Sequence, residues 1–235
     1  MTQSISAGMA DGPPVKGRGA LVGFILLLLV LAAAMLTIPQ VDYPWTLAIA
    51  HHRIKWFSDI MGRTLFEGHW PGGPDAGNLF LILSALLYLL AWVKPLRGRL
   101  CRLRPYLGFI VCTGLICSVF MVHGLKWGVG RARPNQVISR GLPYSQFYQF
   151  GAQYLTGGAY RSSFPSGHTA CVFTLMTLAY ILALGPGRAS AMRLAGISWG
   201  VLALTYSVLM AVARSMSMSH WIGDGLLAIL MSWPI

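Results

Sequence analysis

The chain has 235 residues, of which 55% are hydrophobic and only 10% charged, with a formal net charge of +12 and a mean hydropathy of +0.61. A soluble domain carries about 25% charged residues, so this composition excludes an ordinary soluble globular domain and reads as an integral membrane protein, one domain or one membrane bundle in length. The basic excess does not point to nucleic acid: the Lys and Arg residues sit in short loops between apolar runs rather than on a solvated face. Membrane orientation and contact with an anionic lipid bilayer account for most of them.

Residues 1–18 are polar, rich in Gly and Pro and basic at Lys16 and Arg18, and read as a disordered tail. Gly19 to Ile38 follows without a charge and is closed by Pro39. At helical rise its length matches a bilayer core of about 30 Å. A signal peptide competes with a retained helix here, but the run is long for an h-region and lacks a clear cleavage site. From Val41 to Gly77 cations alternate with Trp45, Trp56, Phe57, Phe66 and Trp70, the pattern of an amphipathic segment lying on the membrane surface. The adjacent His51 and His52 do not face one another on a helix and so do not form a metal pair.

A second span runs from Asn78 to Val93 and leads into Lys94, Arg97, Arg99, Arg102 and Arg104. Tyr106–Leu125 makes a third, a polar linker covers Asn135–Ser163, and Thr169–Gly185 and Leu194–Ala213 make the fourth and fifth. A sixth begins near Gly225 and has too few residues left to cross a bilayer, so its helix is expected to continue beyond the given chain. The fold class is therefore all-α, a polytopic bundle of about six transmembrane helices forming one domain over residues 19–235. Cys101, Cys112, Cys117 and Cys171 have no metal-site spacing and read as small packing residues. With alternating spans, Lys16/Arg18, the Lys94–Arg104 cluster and Arg188/Arg193 share one face, the cytoplasmic one by the positive-inside rule.

Three polar clusters interrupt the apolar sequence between residues 126 and 224, and alternation puts all three on the opposite, outward face. The first holds Lys126, Arg131, Arg133 and Pro134; the second is Pro165-Ser166-Gly167-His168; the third runs from Arg214 through His220 to Asp224. Asp224 is the only Asp or Glu after Asp75, and an intramembrane carboxylate needs a partner. His220 lies four residues back, on the same helical face. A carboxylate accepting its Nδ1–H would leave Nε2 free as a nucleophile. A helix cap or an ion pair with Arg214 is the plainer alternative.

Ser166 can cap the helix that His168 opens, making an anion site at exposed N–H groups, and Gly167 lets backbone approach a phosphate. A simple helix start explains the same residues. Lys126, Arg133 and Arg214 taken singly are snorkelling residues at span ends. Their convergence with two histidines on one face argues for phosphoryl transfer, which requires charge neutralisation on three equatorial oxygens and an in-line nucleophile. A Lys and two Arg supply this without a metal.

The spacing Lys-x6-Arg-Pro, then Pro-Ser-Gly-His, then Arg-x5-His-x3-Asp resembles the signature of the type 2 phosphatidic acid phosphatase superfamily, which comprises membrane lipid phosphatases, related acid phosphatases and vanadium haloperoxidases. The resemblance implies that Lys126, Arg133, Arg214, Ser166 and the Gly167 amide hold the phosphate. It also implies that His220 attacks phosphorus, Asp224 orients it and His168 protonates the leaving group, with no cofactor and no metal. One departure is Ala213, where the family usually has Ser; it removes a hydrogen bond and no catalytic group.

An outward-facing site at headgroup level suits a membrane lipid substrate, and the lipid-phosphatase branch implies a bacterial inner membrane protein with its site on the periplasmic side. Bacterial members act on lipid A phosphates, phosphatidylglycerophosphate, phosphatidic acid and undecaprenyl diphosphate. Arg131, Arg140 and Arg161 are expected to serve a large anionic headgroup such as lipid A; a solvated loop is the alternative. A lipid phosphotransferase would share every motif residue. A metal-dependent hydrolase using His168, His220 and Asp224 is disfavoured by the surrounding cations, and a non-catalytic lipid-binding or transport protein would have no need of both histidines.

Overall fold

The computed structural model describes residues 17–150, 162–185 and 187–233, and the regular structure in them is helical. The tail expected over residues 1–18 lies outside the described residues except for its last two, which open α1. That helix runs from Gly17 to His51, straight through Pro39 and Pro44. The expected stop at Pro39 is therefore not observed. Each proline forfeits one backbone bond, a loss a transmembrane helix tolerates when neighbouring helices pack against it, and α1 packs on α10 (Ser190–Met216) and α11 (Ile222–Ser232). The interfacial segment consequently shortens to α2 (Lys55–Gly62) and a 3-10 turn over Leu65–Glu67.

Trp56 and Ile60 of α2 are exposed while Phe57 and Met61 pack with Val172, Met210 and Ala213, as an amphipathic surface helix should. Asp75 then closes the loop that follows. Its carboxylate accepts from the Thr64 hydroxyl at 2.6 Å, Gly72 N at 2.9 Å and Leu65 N at 3.0 Å, at the N-terminus of α3 (Asp75–Leu90), where a negative charge suits the helix dipole.

The basic run forms α4 (Lys94–Leu100) and leads into α5 (Arg104–Gly114), a π-helical stretch over Leu115–Met121 and α6 (Val122–Val129). A short α7 (Pro134–Arg140) follows. The fourth expected span is divided at Thr174–Leu175 into α8 (Gly167–Phe173) and α9 (Met176–Leu184), and α10 packs along α9, α8, α11 and α2 at the centre of the bundle.

Among the described residues, four stretches are long and apolar enough to cross a membrane: Leu28–His51, Lys94–Arg140, Gly167–Leu184 and Ser190–Met216. The two other expected spans, α3 and α11, are shorter apolar helices of 16 and 11 residues. Large apolar side chains stand exposed along α1 (Leu29, Leu36), α3 (Leu83, Leu86) and α10 (Val201, Leu202). Water would penalise such belts and hydrocarbon would not. The chain is an integral membrane protein.

Candidate active site

The third motif occupies the turn between α10 and α11. Arg214 sits in the last turn of α10, and its carbonyl accepts the backbone N–H groups of Ser219 at 3.1 Å and His220 at 3.3 Å. Met218 adopts a left-handed φ of 56° to make this turn, and its carbonyl accepts Asn135 N at 3.1 Å. A non-glycine residue in that region costs about 1–2 kcal/mol, which the surrounding bonds hold in place. Gly225 is obligatory just beyond: a Cβ there would fall against the Cβ of Ala211 and within 3.0 Å of its Cα, so α11 could not approach α10.

His220 is buried, and its Nδ1 lies 2.6 Å from the Ser163 carbonyl. A carbonyl only accepts, so Nδ1 carries the proton and Nε2 keeps a lone pair. Asp224, expected to accept that proton, has its Oδ2 3.7 Å away, beyond hydrogen-bond reach. The carboxylate is engaged elsewhere. Oδ2 accepts the backbone N–H of Trp221 at 3.0 Å and the Ser163 hydroxyl, and Oδ1 accepts Arg131 Nη1 at 2.6 Å. Asp224 thus reaches His220 through Ser163, whose own N–H is held by the Arg131 carbonyl at 2.7 Å. Burial first, then the positive charges of Arg214, Lys126 and Arg133, hold the imidazole well below its ordinary pKa, with the Ser163 carbonyl acting in the opposite direction. The ring is neutral at pH 7.

Arg131 overturns its sequence expectation. Expected to serve a substrate headgroup, it is instead 1% exposed, bridging Asp224 and Asp42 with 2.6 Å contacts from Nη1 and Nη2. Its Nε donates to Ser145 O at 2.8 Å, and the Tyr144 and Trp221 rings flank it at 5.3 Å. The reason is charge balance: two buried carboxylates require a cation, and the forked guanidinium can meet both at once.

The remaining cations gather around His168, which lies within electrostatic range of Arg214, His220, Lys126 and Arg133. Lys126 Nζ comes within 4.0 Å of where a Cβ on Gly167 would be, so the glycine leaves that space beside the ammonium open. Arg214 Nη1 donates to Gly62 O at 3.3 Å. Among the described residues, two buried nitrogens here, His168 Nε2 and Arg214 Nε, meet no hydrogen-bond partner, an arrangement that is costly unless an anion meets them. Ser166 N donates to Asp224 O at 3.1 Å, while its hydroxyl accepts from Thr169 at 2.9 Å and makes no side-chain cap, contrary to the expected capping role. Glu67, which the sequence reading did not single out, is in electrostatic range of both Lys126 and Arg214. Arg140 is exposed at the end of α7, and Arg161 lies outside the described residues. Among the described residues, no group of three His, Cys, Asp or Glu is placed to hold a metal ion.

Sequence reasoning also missed Ser163 and Asp42. Neither carries a motif signal, since their roles arise from contacts far along the chain, such as Ser163 with His220 57 positions away and Asp42 with Arg131 89 positions away. The segment carrying all three motifs, residues 107–235, matches the sequence profile of the PAP2 superfamily. The chain belongs to the PAP2 superfamily. No curated protein and no solved structure matches the chain. As a PAP2 phosphatase it is a phosphoric monoester hydrolase, and a membrane-embedded one.

Proposed function

We propose that this PAP2 protein removes a phosphate from a membrane lipid headgroup at the outer face of a bacterial inner membrane, through a phosphohistidine and without a metal. The observation that carries this reading is the cationic cluster of Lys126, Arg133 and Arg214 around His168 and His220, with His168 Nε2 and Arg214 Nε buried and meeting no partner among the described residues. Three cations match the three equatorial oxygens of a transferring phosphoryl group. Ser166 and the Gly167 amide complete the cradle.

Nε2 of His220, with its lone pair free because Nδ1–H is committed to Ser163, attacks phosphorus in line with the leaving oxygen. The P–O bond breaks as His168 delivers a proton to that oxygen. Water, giving up a proton to His168, then cleaves the P–N bond and returns both imidazoles to their starting states. Asp224 holds Ser163 and the N-terminus of α11, and so orients His220 indirectly.

A groove of about 420 Å³, lined by Ile38, Val41, Trp45, Leu226 and Leu230 among others, runs beside the N-terminus of α11 and has the apolar character a lipid tail requires. This supports a lipid substrate. Lipid A is the substrate we put first, with Arg140 and Arg161 as headgroup cations now that Arg131 is interior; phosphatidylglycerophosphate, phosphatidic acid and undecaprenyl diphosphate follow. The bundle is read as six membrane crossings, with α3 and α11 as its short members.

The test is phosphate release from these four lipids by the purified protein in detergent, with and without EDTA, alongside His220→Ala. Release that survives EDTA and falls at least about a thousandfold in the variant is the expected result. Release that EDTA abolishes, or that His220→Ala retains, refutes the mechanism. A lipid phosphotransferase would show a phosphoenzyme that turns over only when an acceptor lipid is added.

A further inference from the structure

We propose that Asp42, on α1 and outside the segment that matches the family, is a positioning residue for the phosphoryl-transfer step. The proposal rests on the phosphohistidine reading above. Asp42 and its side chain are fully buried, and the carboxylate makes two contacts with the machinery: Oδ2 accepts Arg131 Nη2 at 2.6 Å, and Oδ1 accepts the backbone N–H of Gly223 at 2.7 Å. Arg131 in turn meets Asp224, Asp224 accepts from Ser163, and Ser163 O holds His220 Nδ1. A continuous chain of buried polar contacts therefore runs from α1 to the nucleophile.

Its function follows from the geometry of the guanidinium. The two nitrogens Nη1 and Nη2 are each committed to a different carboxylate, which fixes both the plane and the roll of the fork. Without Asp42 the same fork is free to close on Asp224 with both nitrogens. That would draw the carboxylate away from the Ser163 hydroxyl and the Trp221 N–H, and with Ser163 goes the acceptor that aims the imidazole. A displacement of about 1 Å at a reacting group costs on the order of a hundredfold in rate.

The same helix provides its own control. Thr46, one turn further along α1, accepts the Ile222 N–H on its hydroxyl at 2.9 Å. It ties α1 to the start of α11 as Asp42 does, but it does not contact Arg131. A purely structural tie and a positioning contact are thus separated by four residues of one helix.

Asp42→Asn is the informative substitution. An amide keeps an acceptor for Gly223 but presents N–H to the Arg131 N–H groups, so the cap survives and the ion pair does not. The experiment is single-turnover labelling with the 32P-labelled forms of the four lipids named above, quenched in alkali, in which phosphohistidine is retained. The labelling rate constant reports the chemistry, whereas the amplitude reports the fraction of competent sites; loss of folded protein lowers the amplitude alone. Asp42→Asn is expected to lower the rate constant tenfold to about a hundredfold with KM unchanged, while Thr46→Val lowers thermal stability or amplitude and leaves the rate constant at the wild-type value. Labelling of Asp42→Asn at the wild-type rate overturns the proposal, and so does equal slowing in Thr46→Val, which would make Asp42 a tie between helices. Failure of the wild-type protein to label with any of the four lipids, or labelling of His220→Ala, is a distinct result: it removes the phosphohistidine reading and this proposal with it.

Discussion

Replacing Arg131 by Met separates an interior cation from one that meets substrate. The guanidinium touches two carboxylates at 2.6 Å, with all three side chains fully buried. At an effective dielectric of about 20 each contact is worth several kcal/mol of Coulomb attraction, on the order of 6 at this separation. Desolvation offsets much of that, so the intact cluster adds little over an apolar equivalent. Removing only the cation is another matter, because Asp42 and Asp224 would then face each other uncompensated. Breaking such a buried pair costs about 3–5 kcal/mol, and the bond from Nε to Ser145 O adds about 1. A domain's whole stability is about 5–15 kcal/mol, so Arg131→Met should lower the unfolding temperature sharply and reduce the yield of folded protein.

A thiol-reactive fluorophore suits the measurement in detergent once the exposed, free Cys101 and Cys112 are replaced by Ser, leaving the buried, free Cys117 and Cys171 to report unfolding. Arg131→Met combined with Asp42→Asn should be more stable than Arg131→Met alone, because one uncompensated carboxylate has gone; the coupling is the signature of direct contact. A headgroup role predicts the opposite pattern, with unchanged unfolding and a raised KM for anionic lipids. That pattern would refute the interior assignment.

Two further predictions concern the site's electrostatics and packing. Because burial and the charges of Arg214, Lys126 and Arg133 depress the His220 pKa, the nucleophilic neutral form persists as pH falls through the ordinary histidine value of about 6.5. The acid limb of kcat should therefore lie well below pH 6.5, and a limb at or above that value would contradict the burial. Gly225→Ala would press a methyl group onto Ala211, and over-packing of this kind costs about 1–3 kcal/mol. Activity should fall with stability, as α11 carries Asp224, and a variant with wild-type unfolding would show that the two helices do not approach so closely.

The residue types of the site were legible in the sequence because phosphoryl transfer needs few of them and they stand out in an apolar chain. Lys126, Arg133, His168, Arg214 and His220 announce themselves as polar groups at span ends, and the spans do so by apolar length. Local spacing also put His220 and Asp224 on one helical face, but four residues of separation proved insufficient for a bond. The turn ends before Ile222 opens α11, so His220 lies outside the helix and faces Ser163 instead.

Contacts between residues far apart in the chain appear only once the helices pack. Arg131 reads as one more basic loop residue until α1 brings Asp42, 89 positions away, against it. Pro39 reads as a helix stop until packing on α10 and α11 carries α1 through it to His51 and places Asp42 at the site. Which groups the reaction has available follows from composition and spacing alone, because their chemistry is a property of each side chain. Which of them meet a phosphate and which neutralise one another in the interior depends on burial and distance, and those exist only once the helices have packed.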